Sequence, residues 1–270
     1  MTAERESCPA HALAAAIGVL AAFLLIPRGA PADAGPPYLT NDPGTPGNAN
    51  WEINIGTMPI VGRDLATYQL PQIDMNFGVG ERLQLTYEIP YDLQSRAGEP
   101  HVSGWSNAYP GIKWRFFDEG EDGWQLSTFP QLETAGSAAA QQRGIAADGP
   151  RLLVPLEIAK TIGAYKLNFE AGYYFPRHGP DESILGFVIG RNATPRLELD
   201  CELYDDRVLG AAPLVTLDFG GRYKLHRGFI LLFMAGRSVT AAKAGQVDFM
   251  GYLGIQVLLS HYGLKLAEDP

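Results

Sequence analysis

The chain has 270 residues, with 21 Lys and Arg against 30 Asp and Glu, so its formal net charge is −9. This acidic balance argues against nucleic-acid binding, which calls for a basic surface. The two cysteines, Cys8 and Cys201, lie on opposite sides of a predicted cleavage site. The mature chain therefore keeps only Cys201, and an intramolecular disulfide is not possible.

The first 34 residues have the pattern of a secretory signal peptide. Residues 12–26 form an apolar run, and Ala-Asp-Ala at residues 32–34 is a small-x-small cleavage motif. The run is shorter than the ~20 apolar residues that a transmembrane helix needs. We therefore predict cleavage before Gly35, with an uncleaved N-terminal anchor as the alternative. The remaining 236 residues carry a net charge of −8.

A Pro-rich segment at residues 35–50, predicted to lie on the periplasmic side, is followed by a two-residue alternation that restarts about a dozen times. At residues 82–91, for example, Leu83, Leu85 and Tyr87 share one parity and polar residues share the other. Successive side chains of a strand point to opposite faces, so this pattern predicts strands with one apolar face and one polar face.

The alternation predicts twelve strands, and an even number is typical of bacterial outer-membrane barrels. We therefore predict an all-β fold: a single antiparallel up-and-down transmembrane β-barrel over residues 51–262, with a C-terminal tail at residues 263–270. The predicted strands are residues 51–60, 67–77, 82–91, 105–117, 124–134, 151–162, 165–175, 184–191, 196–205, 214–225, 229–237 and 247–259.

Connector lengths predict an orientation. Barrels have short periplasmic turns and longer extracellular loops. If the first strand runs outward, the longest connectors, residues 92–104 and 135–150, are extracellular. The short connectors then fall on the periplasmic side: residues 78–81, 118–123, 163–164, 192–195 and 226–228.

Aromatic residues collect near the predicted strand ends and suggest two girdles at the level of the lipid headgroups. The inner girdle would contain Trp51, Phe77, Phe116 and Trp124, and the outer one Tyr68, Tyr91, Trp105, Phe175 and Tyr204.

The alternation fails at residues 229–234, where both faces are apolar. A strand that is apolar on both faces needs lipid outside and a dry partner inside. We therefore predict that Ile230, Leu232 and Met234 contact a plug in the lumen, and residues 35–50 are the candidate plug.

The polar side chains, which share one parity on each strand, are predicted to line the lumen. Their charges could form a closed salt-bridge network or a charged pore, and a barrel of twelve strands lies between the filled and the open sizes. The lumen candidates are Glu88, Lys113, Arg115, Glu133, Lys166, Glu170, Glu198, Asp200, Glu202, Asp218, Arg222 and Lys224.

Short motifs along the whole mature chain resemble one outer-membrane barrel family, labelled "MetA-pathway of phenol degradation". They include PPYLTNDP at residues 36–43, WEIN at 51–54, RLQL at 82–85, ELY at 202–204 and YLGIQ at 252–256. The resemblance implies an outer-membrane transporter, with uptake of aromatic compounds as its expected activity. Two departures are Asn41, where the family has Asp, and a tail that continues past Tyr262.

The predicted function is passive passage of small solutes across the bacterial outer membrane, without catalysis, cofactor or metal. The predicted partners are outer-membrane lipid, the barrel-assembly machinery and a small solute; the oligomeric state stays open. No metal-binding or hydrolase motif is present in the sequence. The alternatives are a closed barrel with a structural or surface-binding role, and a barrel-borne lipid hydrolase. A hydrolase needs an adjacent Ser and His near a rim, and the only local pairs are Ser260 and His261, sequence neighbours on opposite faces, and His178 with Ser183 in a loop.

Overall fold

A computed structural model describes residues 35–120, 123–240, 246–260 and 263–264. Strands dominate, and the helix α1 (Ala138–Gln142) has five residues. Within the described residues, no helix is long and apolar enough to cross a membrane. The strands are β1 (Trp51–Gly62), β2 (Leu65–Val79), β3 (Leu83–Arg96), β4 (Val102–Trp105), β5 (Tyr109–Asp118), β6 (Trp124–Thr128), β7 (Gln131–Glu133), β8 (Arg151–Ile162), β9 (Tyr165–Pro176), β10 (Glu182–Asn192), β11 (Leu197–Val208), β12 (Leu214–His226), β13 (Phe229–Ser238), β14 (Val247–Ser260) and β15 (Gly263–Leu264).

The strands form one closed antiparallel sheet. Strands that follow one another along the chain pair, except β4 with β5 and β6 with β7, and β1 closes the barrel by pairing with β14. Strands β4 and β5 share one position beside β3, and β6 and β7 share one position beside β8. The wall therefore has twelve positions, which confirms the predicted twelve-stranded up-and-down barrel. The short β15 is an addition that pairs with the end of β14.

Two strands that were predicted to be continuous are broken, so their predicted extents are wrong. The strand predicted at residues 105–117 is interrupted between β4 and β5, where the Asn107 side chain donates to Glu133 Oε1 at 2.8 Å. The strand predicted at residues 124–134 is interrupted at Phe129 and Pro130. Pro130 has no N–H to donate to a ladder, and Phe129 is buried.

The two faces of the wall have opposite chemistry. Outward side chains such as Leu85, Ile112 and Leu253 are 46%, 54% and 56% exposed, while inward Glu157 and Glu170 are fully buried. This inverts the usual arrangement of a water-soluble protein, in which charged side chains are seldom fully buried. An exposed apolar band around a polar interior is the surface that a transmembrane barrel presents to lipid.

The connectors differ between the two ends of the barrel. We call the end where β1 begins the near end and the end where β1 finishes the far end. Near-end turns are short, and in the two-residue turns at 163–164 and 227–228 the left-handed backbone falls on Gly163 and Gly228. The far end carries the longest connector, residues 134–150, but also a two-residue turn at 63–64 that departs from the predicted sorting.

Residues 35–50, predicted both as a periplasmic entry segment and as the candidate plug, run from the near end of the barrel into its lumen. At the near end the segment joins the sheet, because Ala49 N donates to Gly78 O and Gly78 N donates to Asn50 O, both at 2.9 Å. Further in, Tyr38 and Thr40 are buried within the lumen. We call residues 35–46 the inner segment.

Aromatic side chains at the strand ends point outward at most of the predicted positions. Trp51, Trp105, Trp124 and Phe175 are 40–55% exposed. Tyr204 is an exception, and its prediction as an outer-girdle residue is wrong. It shares the inward parity of Glu202 on β11 and lines the lumen.

Leu203 and Leu209 test whether the outer surface meets lipid, because both are exposed but only Leu203 lies in the middle of a strand. In a bilayer, we expect Leu203→Arg to lower the free energy of unfolding by about 2–4 kcal/mol, as for a charge near the midplane. Leu209→Arg, in the far-end connector, should cost much less. Urea unfolding in lipid vesicles measures both, and equal small effects would contradict a membrane-facing wall.

Candidate functional site

The candidate site is the barrel lumen, which encloses a cavity of about 790 Å³. Its lining runs from near-end residues such as Glu52 and Lys224 to far-end residues such as Leu214 and Val247. The inner segment lines the same cavity through Tyr38, Leu39 and Asp42, among others. The segment therefore narrows the lumen, and free volume remains beside it.

Two buried glutamates hold the backbone of the inner segment. The N–H groups of Leu39 and Thr40 donate to the Glu202 carboxylate at 3.2 and 2.6 Å. The next N–H, that of Asn41, donates to Glu170 Oε2 at 2.8 Å. Both glutamate side chains are fully buried. Hydrogen bonds to a charged acceptor are about twice as strong as neutral ones, so these contacts fix the segment in one position.

Basic side chains hold the carbonyl groups of the same segment. Lys113 Nζ donates to the Asp42 carbonyl oxygen at 2.5 Å, and Lys166 Nζ lies 3.8 Å from the Asp42 carboxylate. Arg222 donates to the carbonyl oxygens of Gly35 and Pro36 at 3.1 and 2.9 Å. Its guanidinium also forms an ion pair with Glu198 at 2.7 Å. Strands β5, β9, β11 and β12 therefore all contact the segment.

An apolar cluster completes the contact. Tyr38 packs in one cluster with Leu232 and Met234, and Leu39 and Ile230 lie against it. Burial, reinforced by the Asp200 carboxylate, raises the pKa of the Tyr38 phenol well above its usual range. The hydroxyl therefore stays protonated and donates to the Asp200 carbonyl oxygen at 3.3 Å.

Gly186 allows the segment to approach the wall. A Cβ atom at this position would lie 2.2 Å from Thr40 Oγ1 and 3.0 Å from Thr40 Cβ. Only glycine leaves room for the threonine side chain at this point of β10.

A second polar network lies on β1, β2 and β3. Asp74 Oδ2 accepts from the side-chain amides of Asn54 and Asn76, both at 2.9 Å. Asn76 Oδ1 in turn accepts from Gln84 at 2.8 Å and from Thr86 at 2.5 Å. This part of the wall is a network of amides and hydroxyls around Asp74, in which one side chain hydrogen-bonds the next.

The far half of the cavity, which we call the far chamber, is more aromatic and apolar. Arg151 lies at its rim, bonded to Glu133 and, at 2.6 Å, to Glu182. Its guanidinium also stacks over the Tyr174 ring, 4.3 Å from the centroid. The far chamber is lined by Met58, Ile60, Gln69, Gln72, Glu88, Tyr109, Phe129, Leu153, Tyr174, Ile184, Tyr204, Asp206, Leu214, Thr216, Val247 and Met250.

The predicted lumen residues divide by burial. Most are buried, Glu88, Arg115 and Glu198 are half-buried, and Lys224 is exposed at the near end. Their role in lining a pore stays a prediction. Arg115 faces the near-end rim, where it pairs with Asp118 at 3.2 Å and donates to Glu81 O at 2.7 Å. The buried members are Lys113, Glu133, Lys166, Glu170, Asp200, Glu202, Asp218 and Arg222.

Sequence reasoning missed the backbone N–H groups of residues 39–41 and the lumen tyrosines. Nothing in the sequence distinguishes these backbone donors from other backbone N–H groups. The tyrosines can be recognised by their parity: Tyr109 shares the parity of Lys113, Tyr174 that of Glu170, and Tyr204 that of Glu202. Following parity to the strand ends finds all three.

Metal and hydrolase sites receive no support from the described residues. Across the described ranges, no group of three or more His, Cys, Asp or Glu side chains is placed to hold a metal ion. His178 is exposed in the far-end connector at 177–181, and His261 lies outside the described residues.

Comparison with known proteins identifies the fold. No protein-family model and no curated protein matches the sequence, so membership of the phenol-degradation family stays a prediction. The COG4313 outer membrane channel from Pseudomonas putida F1 is similar in structure, with a TM-score of 0.64 and 12% identity, over 84% of this chain and all of that one. The KdgM porin aligns with a TM-score of 0.54 and 11% identity, over 76% of this chain and 98% of that one. The chain has the fold of these outer-membrane barrels.

Glu202 offers a direct test of how the inner segment is held. Glu202→Ala removes the acceptor of the Leu39 and Thr40 amides, and a hydrogen bond to a charged group contributes about 1.5–3 kcal/mol. We therefore expect amide hydrogen exchange at these two residues to become about ten- to a hundredfold faster. Asp218→Ala is the matched control, because Asp218 is the buried register partner of Glu202 on β12. Equal acceleration in both variants would contradict a specific role for Glu202.

Proposed function

We propose that the protein is a bacterial outer-membrane channel for passive passage of small solutes. The observation that carries this proposal is the cavity of about 790 Å³ inside a closed barrel, lined by polar side chains and reaching residues at both ends. A wall that served only to fill space would need no such volume. The apolar outer band and the similarity in fold to outer-membrane barrels support the location.

The same proposal includes an orientation and partners. Short near-end turns face the periplasm, and the long connector at residues 134–150 faces outward. Residues 1–34 then direct export and are cleaved off, and the barrel-assembly machinery inserts the mature chain, with lipid around the wall. No catalytic role is proposed.

We propose more specifically that the solutes are aromatic compounds. The resemblance to the phenol-degradation family implies them, and the far chamber supplies matching chemistry through Tyr109, Phe129, Tyr174 and Tyr204. Aromatic rings associate through offset and edge contacts as well as by burial of apolar area. An aromatic solute would thus meet rings before it reaches the inner segment.

The alternative of a closed, non-conducting barrel is favoured by one observation. The inner segment is fixed by ionic, backbone and apolar contacts at once, as a permanent plug would be. The two functions differ in whether solutes pass beside the segment, which conductance decides.

Single-channel recording on the mature protein tests the channel. We expect small, steady ion currents from the intact barrel and several-fold larger currents after deletion of residues 36–46, because the deletion widens the narrowest part of the lumen. Tyr38→Ala, which removes one apolar anchor, should give intermediate or noisier currents. An intact barrel that conducts no ions would favour the closed alternative.

Charge in the lumen predicts the sign of ion selectivity. The cavity lining contains seven carboxylates (Asp42, Glu52, Asp74, Glu88, Glu170, Glu198 and Asp206) and four basic side chains (Lys113, Arg196, Arg222 and Lys224). We expect a reversal potential in a KCl gradient that favours K⁺ over Cl⁻.

Lys224 provides the matching variant, since it lines the near end of the cavity and is exposed. Lys224→Glu should increase the preference for K⁺ at low salt. Arg227→Glu makes the same charge change in the near-end turn, away from the lining, and should alter it little. A channel that prefers Cl⁻ over K⁺ would contradict the expectation that the excess of carboxylates in the lining sets the ion selectivity.

A further inference from the structure

Two basic residues face each other across neighbouring strands at the near end of the lumen. Lys224 N on β12 donates to the carbonyl oxygen of Arg196, which directly precedes β11, at 2.8 Å. Both residues line the cavity. They share the parity of Arg222 and Glu198, whose side chains bond each other on the inner face of the same two strands. Like charges directly opposite each other destabilise a sheet, so this pair favours a bound anion.

The charges of this pair are not neutralised by the wall. Glu198, two residues from Arg196 on the same face, is bound to Arg222 at 2.7 Å. Within the part of the chain that the structure describes, the side chains of Arg196 and Lys224 form no ion pair or hydrogen bond. Both are exposed, so a solute in the near-end opening can reach them. Two positive charges therefore face the cavity side by side.

The same row of the sheet continues with an apolar side chain and a buried amide. Lys224 is the register partner of Ile230 on β13, and Ile230 is the register partner of Gln256 on β14. Both line the cavity, and Ile230 is half-buried. Gln256 is only 6% exposed, yet its side chain forms no hydrogen bond to any described residue. Buried amides are normally hydrogen-bonded, so this one is available to a ligand.

We call Arg196, Lys224, Ile230 and Gln256 the near-end row. They occupy four successive positions of the wall, and neighbouring strands lie about 4.8 Å apart. Their side chains point inward from a curved wall and therefore converge. A single small molecule can thus contact all four.

We propose that the near-end row binds small organic monocarboxylates, with the carboxylate between Arg196 and Lys224 and the organic body over Ile230 toward the Gln256 amide. A guanidinium group presents paired N–H donors that match the two oxygens of a carboxylate. Glu52 and Glu198 also line the near end of the cavity, and their charge disfavours anions of higher charge. The inference goes beyond the proposed passage of solutes, because such a site can exist in a conducting or a closed barrel.

The test compares three probes of similar size that differ in charge: benzoate, benzyl alcohol and benzylammonium. Binding to the folded, detergent-solubilised mature protein is measured by titration calorimetry at neutral pH and low salt. We expect benzoate to bind at least about tenfold more tightly than either other probe, because only it supplies a charged acceptor. Inorganic phosphate, which lacks the organic body and carries more charge, should bind more weakly than benzoate. Equal or tighter binding of any of the other three overturns the inference.

Variants locate the site. Lys224→Gln should weaken benzoate binding severalfold, and Lys224→Gln combined with Arg196→Gln should remove the preference for the carboxylate. Both side chains are exposed, so these changes should leave the fold intact. Arg227→Gln is the matched control, because it removes one positive charge from the near-end turn and Arg227 does not line the cavity. An unchanged preference in the double variant, or an equal loss in Arg227→Gln, overturns the assignment.

Gln256→Leu tests the other edge of the site at constant charge. We expect benzoate to be little affected and 4-hydroxybenzoate, whose hydroxyl group can reach the amide, to bind severalfold more weakly than to the unaltered protein. An unchanged affinity for 4-hydroxybenzoate would overturn the placement of the organic body along the row.

Conductance separates this inference from the proposed function. Block of the K⁺ current by benzoate added on the near side, weakened in Lys224→Gln, supports both. A barrel that binds benzoate selectively but conducts no ions retains the site and loses the channel. A barrel that conducts but does not distinguish benzoate from benzyl alcohol and benzylammonium retains the channel and overturns the site.

Discussion

A wall that faces lipid has no water on its outer side, so each backbone N–H and C=O must be bonded within the sheet. Closure of β1 on β14 meets this demand without leaving an edge. It also fixes the faces, because alternation then sends every second side chain to lipid and every other one to the lumen. The polar half of each strand is thereby confined to a narrow interior, and the rest of the structure follows from that confinement.

Confinement to the interior removes charged side chains from water. Glu170 and Glu202 are fully buried side chains, and a carboxylate removed from water is costly unless donors replace its hydration. Three consecutive backbone N–H groups of the inner segment supply such donors. The inner segment is therefore part of the hydrogen-bonded interior of the barrel. Lys113 and Arg222 bind its carbonyl groups in the same way, so the segment and the wall satisfy each other's polar groups.

The sequence could predict the features that depend on parity. The faces, the number of wall positions and the apolar stretch at residues 229–234 all follow from which residues alternate. Leu232 and Met234 lie in one apolar cluster with Tyr38. Features that depend on where the chain turns inward could not be predicted. The interruption at residues 106–108 depends on Asn107 reaching Glu133, a contact between distant residues, and nothing local marks it. Pro130 did indicate an interruption from the sequence alone, because proline interrupts a strand ladder. Tyr204 was wrongly predicted to lie in the outer girdle, because that prediction used its position near a strand end and not its parity.

The strength of the inner segment's attachment bears on how solutes pass. Displacing the segment would break its hydrogen bonds to Glu170 and Glu202, each contributing about 1.5–3 kcal/mol, together with the Arg222 contacts and the cluster around Tyr38. A passive channel has no energy source to drive such a change for each solute. Passage beside a fixed segment needs none, and the cavity lining includes both the segment and the wall opposite it. If the barrel conducts as proposed, the segment acts on solutes through the space that it leaves open: a lumen that is more aromatic and apolar toward the far end and richer in basic side chains toward the near end. Selectivity in such a channel is set by the chemistry of the remaining gap.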